Sequence, residues 1–208
     1  MTALRLILAL LLLPLPLTAA TWKAGTAKAD ITPKKPIWMA GYGGRSKESE
    51  GVLHPLWAKA LALEDAKGER AVIIATDTLG MTRGIYATLK TRLKKEHNLD
   101  AEQIMLNASH THTGPVLRGG LYDIYPLDDA RIKRIEEYSA RLENEIVRIT
   151  GEALKNLEPV ILKHGNGISR FGVNRRENRE SQIPQLRSEG ATLKGPFDHD
   201  VPVLAVYK

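Results

Sequence analysis

From residue 22 to residue 30, apolar and polar positions alternate, which predicts a strand, and Ile31-Thr32-Pro33 ends it because proline cannot donate to a ladder. Two more apolar runs, residues 56–64 and 71–76, flank Asp65-Ala66-Lys67-Gly68-Glu69. This is a turn sequence with its glycine late, so the runs pair as a hairpin. The second run is continuously apolar and predicts burial on both faces. Asp77 follows it directly, the first acid beyond the sheet, placed either to cap a helix or to serve a site.

Helical spacing of Ile85, Leu89 and Leu93 predicts a helix over residues 82–96, with Lys94-Lys95 suited to its C-terminal end. His97, beside Asn98, suits a dipole role there. Residues 103–108 form the next apolar run. A long amphipathic helix is expected over residues 129–156, its stripe drawn by Ile132, Ile135, Leu142, Ile146, Ile149 and Leu154. Strand character returns over residues 159–171, where His164 before Gly165-Asn166-Gly167 suggests a turn, and residues 172–194 are polar and irregular. Residues 201–207 close the chain on an apolar run ending at Lys208. The partner of such a strand would normally follow it, so the run suggests a chain cut short within a larger domain. The fold class expected is α/β: a mixed sheet with flanking helices, one domain over residues 21–208, the truncated N-terminal part of a catalytic unit.

Residues 1–20 carry a cationic start at Arg5, a leucine core interrupted by Pro14 and Pro16, and the small-residue exit Thr18-Ala19-Ala20. This pattern predicts a cleaved signal peptide and a secreted or periplasmic protein. The chain has no cysteine, so disulfide staples and thiolate metal sites are unavailable, and any metal must use His, Asp, Glu, Tyr or water. The net charge of +6 is mild, its lysines and arginines are dispersed, and only two phenylalanines are present. That argues against a nucleic-acid partner and leaves a weak peripheral contact with an anionic membrane surface open.

The candidate chemistry centres on Asn107-Ala108-Ser109-His110-Thr111-His112-Thr113-Gly114-Pro115, where an apolar run ends in two imidazoles at i and i+2. In an extended chain that spacing puts both rings on one face, with Cα atoms about 6.6–6.8 Å apart. They could hold one metal together, or one could bind it while the other polarises a substrate; a solvated strand end is the plainer alternative. The glycine-rich loop Met39-Ala40-Gly41-Tyr42-Gly43-Gly44-Arg45 would let backbone approach a ligand closely, or simply be a surface loop. His54, between Leu53 and Pro55, reads equally as strand-leading or as a pocket residue. Asp198 and Asp200 flank His199 and could orient it or merely fix a loop.

The ordered series of segments resembles the N-terminal catalytic part of the neutral/alkaline non-lysosomal ceramidases. The markers run from Ala27-Lys28-Ala29-Asp30-Ile31-Thr32 through Gly41-Tyr42-Gly43, His54-Pro55-Leu56-Trp57-Ala58-Lys59-Ala60 and Thr76-Asp77-Thr78-Leu79-Gly80-Met81. Ser109-His110-Thr111-His112-Thr113-Gly114-Pro115, Asn174-Arg175-Arg176 and Asp198-His199-Asp200-Val201 complete it.

The resemblance implies a zinc-dependent hydrolase of N-acyl amide bonds acting on ceramide or another lipid-like acyl amide. It assigns His110 to Zn2+, His112 and Arg175 to the substrate's reacting end, and Gly41, Tyr42 and Gly43 to the pocket wall. Asp77, His54, Asp198 and His199 stand as possible supporting residues. In that family the other zinc ligands, a histidine, a glutamate and a tyrosine, come from regions downstream, so this length alone would be inactive and would need that C-terminal region as its partner. The competing class is an exported, non-catalytic metal-binding or lipid-surface module. Serine hydrolysis has little support, since no Gly-x-Ser-x-Gly elbow is present.

Overall fold

The computed structural model describes residues 22–208, so the expected signal peptide lies outside the described residues. Six strands form a sheet: β1 Trp22–Asp30, β2 Trp57–Glu64, β3 Arg70–Thr76, β4 Ile104–Ala108, β5 Glu158–Ile168 and β6 Asp200–Tyr207. Their spatial order is β4-β3-β2-β1-β5-β6. All neighbours are antiparallel except β3 and β4, which run parallel with Val72 beside Ile104 and Thr76 beside Ala108. A parallel pair needs a crossover, supplied here by α1, Arg83–His97.

Local chemistry explains where α1 begins and ends. Thr82, not Asp77, is its N-cap and accepts from the Ile85 amide; Asn98 closes it in the left-handed conformation. Ile85, Leu89 and Leu93 are fully covered, each contributing about 2 kcal/mol of burial. The longer α2, Asp129–Lys155, is capped by Asp128, which accepts from the Arg131 amide at 2.8 Å. Ile135, Leu142, Ile146 and Ile149 on its buried stripe pack with Ala58, Ala60, Ala62, Val72 and Ile74 of the sheet. Tyr138 sits within this layer and donates to the Ile31 carbonyl at 2.8 Å; burial pushes its phenol well above the ordinary range.

The two helices meet at Gly151 of α2. A Cβ there would lie 2.5 Å from the His97 ring, whose Nε2 donates to the Val147 carbonyl at 2.9 Å. His97 therefore joins the helices in addition to lying in the last turn of α1.

Several expectations need correction. Helices cover one face of the sheet only, so in β3 Val72 and Ile74 are buried while Ile73 is half-buried and Ala75 exposed. The apolar run thus does not report two-sided burial. His164 is no turn residue; it pairs with Leu204 inside β5, which runs through the glycines to Ile168. Residues 172–194 contain a short helix, α3 Ile183–Ser188, started by Pro184. The partner of β6 is β5, which precedes it in sequence.

Candidate functional site

At the end where β3 and β4 finish side by side, the ladder continues by one bond, from the Ser109 amide to the Thr76 carbonyl at 3.0 Å. Thr76 Oγ1 also donates to the Asn107 carbonyl at 3.2 Å and lies 3.0 Å from Thr78 Oγ1. Asp77 closes the neighbouring pair: its amide donates to the Trp57 carbonyl, and its carboxylate accepts from the Trp57 amide, each at 2.9 Å. Asp77 is thereby a strand-end clasp beneath the loops that carry the imidazoles.

Because β4 stops at Ala108, the chain is no longer extended at the histidines. His110 has φ +57, in the left-handed region, and Thr111 Oγ1 turns back to the Thr113 amide at 3.3 Å. The rings therefore meet through a turn and not by strand alternation, edge to face with centroids 5.2 Å apart. A non-glycine residue at positive φ is costly and is kept where its surroundings hold it. For His110 the holding contact is Nδ1 to the Leu79 carbonyl, 2.7 Å away.

That contact decides the tautomer. A carbonyl oxygen only accepts, so Nδ1 carries a proton and, in the neutral ring, Nε2 is the nitrogen with the lone pair. This is the arrangement of a metal-ready imidazole, oriented through its other nitrogen by a backbone acceptor.

Segment 38–41 lies against segment 114–116. Ala40 donates to the Gly114 carbonyl at 2.9 Å, Val116 to the Trp38 carbonyl at 2.8 Å, and Met39 bridges Pro115. The pairing delivers Gly41 onto the face of His112. Gly41 has φ +112, and a Cβ there would fall 2.5 Å from His112 Cγ, so glycine is required on both counts. Its amide donates to the Tyr125 hydroxyl at 2.9 Å. The Tyr42 ring then packs edge-on against His112, centroids 4.7 Å apart. Arg45 Nη2 donates to the His112 carbonyl at 2.6 Å, and its guanidinium lies 5.3 Å from the centre of the Tyr42 ring.

Beside His110 opens an apolar cavity of about 300 Å³, walled by Leu79, Met81, Val116, Leu117 and Leu121. Its wall is braced from α2, where Ser139 Oγ accepts from the Arg118 amide at 2.9 Å and Glu143 pairs with the Arg118 guanidinium. An oriented imidazole next to an apolar recess suits a ligand with one polar reacting group and a hydrocarbon part.

The structure thus brings together His110, His112, Gly41 and Tyr42, with Gly43 beyond them on the same loop and Asp77 below. It draws the other candidates elsewhere. Arg175 is exposed and pairs with Glu180 at 3.1 Å. His199 stacks on Phe197 with centroids 4.5 Å apart, Asp198 accepts from the Asp200 amide at 2.9 Å, and His54 sits exposed in the loop before β2. Three contributors were not legible as such: Arg45, Tyr125 and the Leu79 carbonyl. The last is a backbone group with no side-chain signal, and Tyr125 acts across 84 residues of chain.

Residues 22–186 match the model of the neutral/alkaline non-lysosomal ceramidase N-terminal domain. This chain belongs to that family. The family's neutral ceramidase from Pseudomonas aeruginosa is 30% identical over 189 residues, 88% of this chain and 28% of that protein. The neutral ceramidase of Drosophila melanogaster is 31% identical over 115 residues, 52% of this chain and 16% of that one. The crystal structure of the Pseudomonas aeruginosa neutral ceramidase superposes with a TM-score of 0.67 at 25% identity, covering 90% of this chain and 30% of that chain. The mixed sheet and flanking helices are therefore the family's fold, and the chain spans less than a third of the length of these relatives.

Proposed function

We propose that this chain carries part of the catalytic centre of a zinc-dependent hydrolase of N-acyl amides, acting on ceramide or a related lipid-like acyl amide outside the cytoplasm. Family membership supports the reading. The single observation that carries it is the His110 imidazole, fixed by Leu79 with Nε2 free, at the rim of an apolar cavity.

The donor set fits one zinc ligand at His110. Among the described residues no three His, Asp or Glu side chains gather; by family resemblance the remaining ligands would come from the length of the relatives that this chain does not span. Bound zinc would supply an activated water near neutral pH and polarise the amide carbonyl.

The residues of this chain do the rest. The cavity takes the hydrocarbon next to the scissile amide and keeps water from that side. His112, held by Gly41, Tyr42 and Arg45, stands one ring from His110, where it donates to the developing oxyanion or hands a proton to the leaving amine. Arg175 serves substrate contact by family resemblance and would exchange its Glu180 pairing to do so.

The test is turnover of a fluorescent ceramide with and without zinc, measured on the chain joined to the remaining length typical of its relatives and on residues 21–208 alone. Zinc-dependent turnover by the joined protein and none by residues 21–208 is expected. Zinc binding without turnover in the joined protein would favour the non-catalytic, exported metal-binding or lipid-surface module.

A further inference from the structure

We infer that Arg45 is a positioning residue for His112, a role that rests on reading the His110–His112 pair as the reacting site. Its guanidinium donates from Nη2 to the His112 carbonyl at 2.6 Å, a charge-assisted bond and so one of the stronger kind. The same group lies 5.3 Å over the Tyr42 ring, and Tyr42 in turn stands edge-on to the His112 imidazole at 4.7 Å. Arg45 thus grips His112 twice, directly at its backbone and through Tyr42 at its ring. Gly41 closes the opposite approach, with no space for even one methyl group.

A positioning residue must itself be held, and Arg45 is held from both sides. Toward the N-terminus, its amide closes a turn onto the Tyr42 carbonyl at 3.3 Å, and Gly41 is pinned by Tyr125. Toward the C-terminus, Glu48 accepts from Arg134 of α2 and lies 3.8 Å from Arg131 Nε. Ser49 exchanges bonds with Ile37: its amide donates to the Ile37 carbonyl at 2.9 Å and its hydroxyl accepts the Ile37 amide at 3.1 Å. Residues 41–49 therefore form a strap anchored on α2 and on segment 37–41, with Arg45 reaching inward from its middle. Among the described residues no carboxylate pairs with Arg45, so its charge is committed to the His112 carbonyl and the Tyr42 face. Both contacts of the guanidinium, to the His112 carbonyl and to the Tyr42 face, thus fall on the reacting pair and its support.

The experiment compares the wild-type chain with Arg45→Ala and Arg45→Lys by the rate at which an imidazole-acylating reagent modifies each histidine, read by peptide mapping. Exposed His54 serves as the reference within the same molecule. In R45A, His112 should react roughly tenfold faster relative to His54, the consequence of losing one charge-assisted hydrogen bond. R45K should return most of that protection, because an ammonium can donate to the same carbonyl. Thermal unfolding of all three proteins separates a local release from general loosening. Unchanged relative labelling of His112 in R45A would overturn the proposal, as would loss of protection at every histidine together.

Turnover forms the second arm, in the protein that hydrolyses an acyl amide. R45A should lower kcat by roughly 10- to 100-fold with KM held within about threefold, since a displaced group costs rate more than ground-state binding. If the wild-type protein shows no such turnover, the functional reading fails, and the labelling arm still decides whether Arg45 positions His112.

Discussion

His110 Nδ1 lies 2.7 Å from the carbonyl oxygen of Leu79, a residue 31 positions earlier in the chain, and this one contact turns Nε2 of the ring away from Leu79, as the nitrogen with the lone pair in the neutral imidazole. The loop after β3 thus orients an imidazole carried by the loop after β4. The parallel pairing of the two strands makes that meeting possible, because both chains leave the sheet at the same end.

On the proposed reading, replacing His110 by alanine in the chain joined to the remaining length typical of its relatives and loaded with zinc should lower zinc content and turnover together, affinity falling at least the 10- to 100-fold that loss of a mere supporting partner costs. Elemental analysis checks this. Replacing His112 should lower turnover while zinc content stays near that of the wild type.

Gly41→Ala adds a Cβ 2.5 Å from His112 Cγ at a φ of +112. The strain at that backbone angle alone is about 1–3 kcal/mol. A lower melting temperature is expected, together with altered chemical shifts of the His112 ring.

Gly151→Ala drives a Cβ into the His97 ring, 2.5 Å away, and parts α1 from α2. Overpacking of this kind costs about 1–3 kcal/mol. A lower urea midpoint would show it, and His97→Ala in the same background should recover part of the loss by making room.

Tyr138 is held protonated by burial, its ionisation pushed above the ordinary tyrosine value of 10.0. Above about pH 10 the unfolded chain gives up this proton while the folded protein keeps it, so stability falls as pH rises through that range. Below pH 10 the contribution is fully present. Tyr138→Phe should flatten the alkaline limb of the melting-temperature profile, and should cost about 1 kcal/mol at neutral pH for the lost bond to the Ile31 carbonyl.

If residues 1–20 act as the leader that their pattern predicts, exported protein should begin near Thr21. N-terminal sequencing of secreted or periplasmic material tests it, and intact Met1 in that fraction would count against it.

The sequence by itself determined the longer helices, the first strands and the identity of the imidazole pair, while α3 and the run of β5 through its glycines escaped it. Alternation from Trp22 to Asp30, the spacing of Ile85, Leu89 and Leu93, and the stripe from Ile135 to Ile149 are local patterns, set by strand and helix periods that need no knowledge of the neighbours. His-x-His was visible for the same reason, and so was the glycine-rich loop, though not its place against His112. Only the tertiary structure decided what these pieces do to one another. The run in β3 looked buried on both faces because composition cannot report that both helices settle on one side. The imidazoles converge through a left-handed turn at His110, not along a strand, and Asp77 clasps Trp57 in place of a helix end. Arg45 reaching the His112 carbonyl, Tyr125 reaching Gly41 and Leu79 reaching His110 span 67, 84 and 31 residues. Each depends on the path of the whole chain, and each of the three has at one end a backbone atom of a kind every residue carries, so no side-chain pattern could announce them.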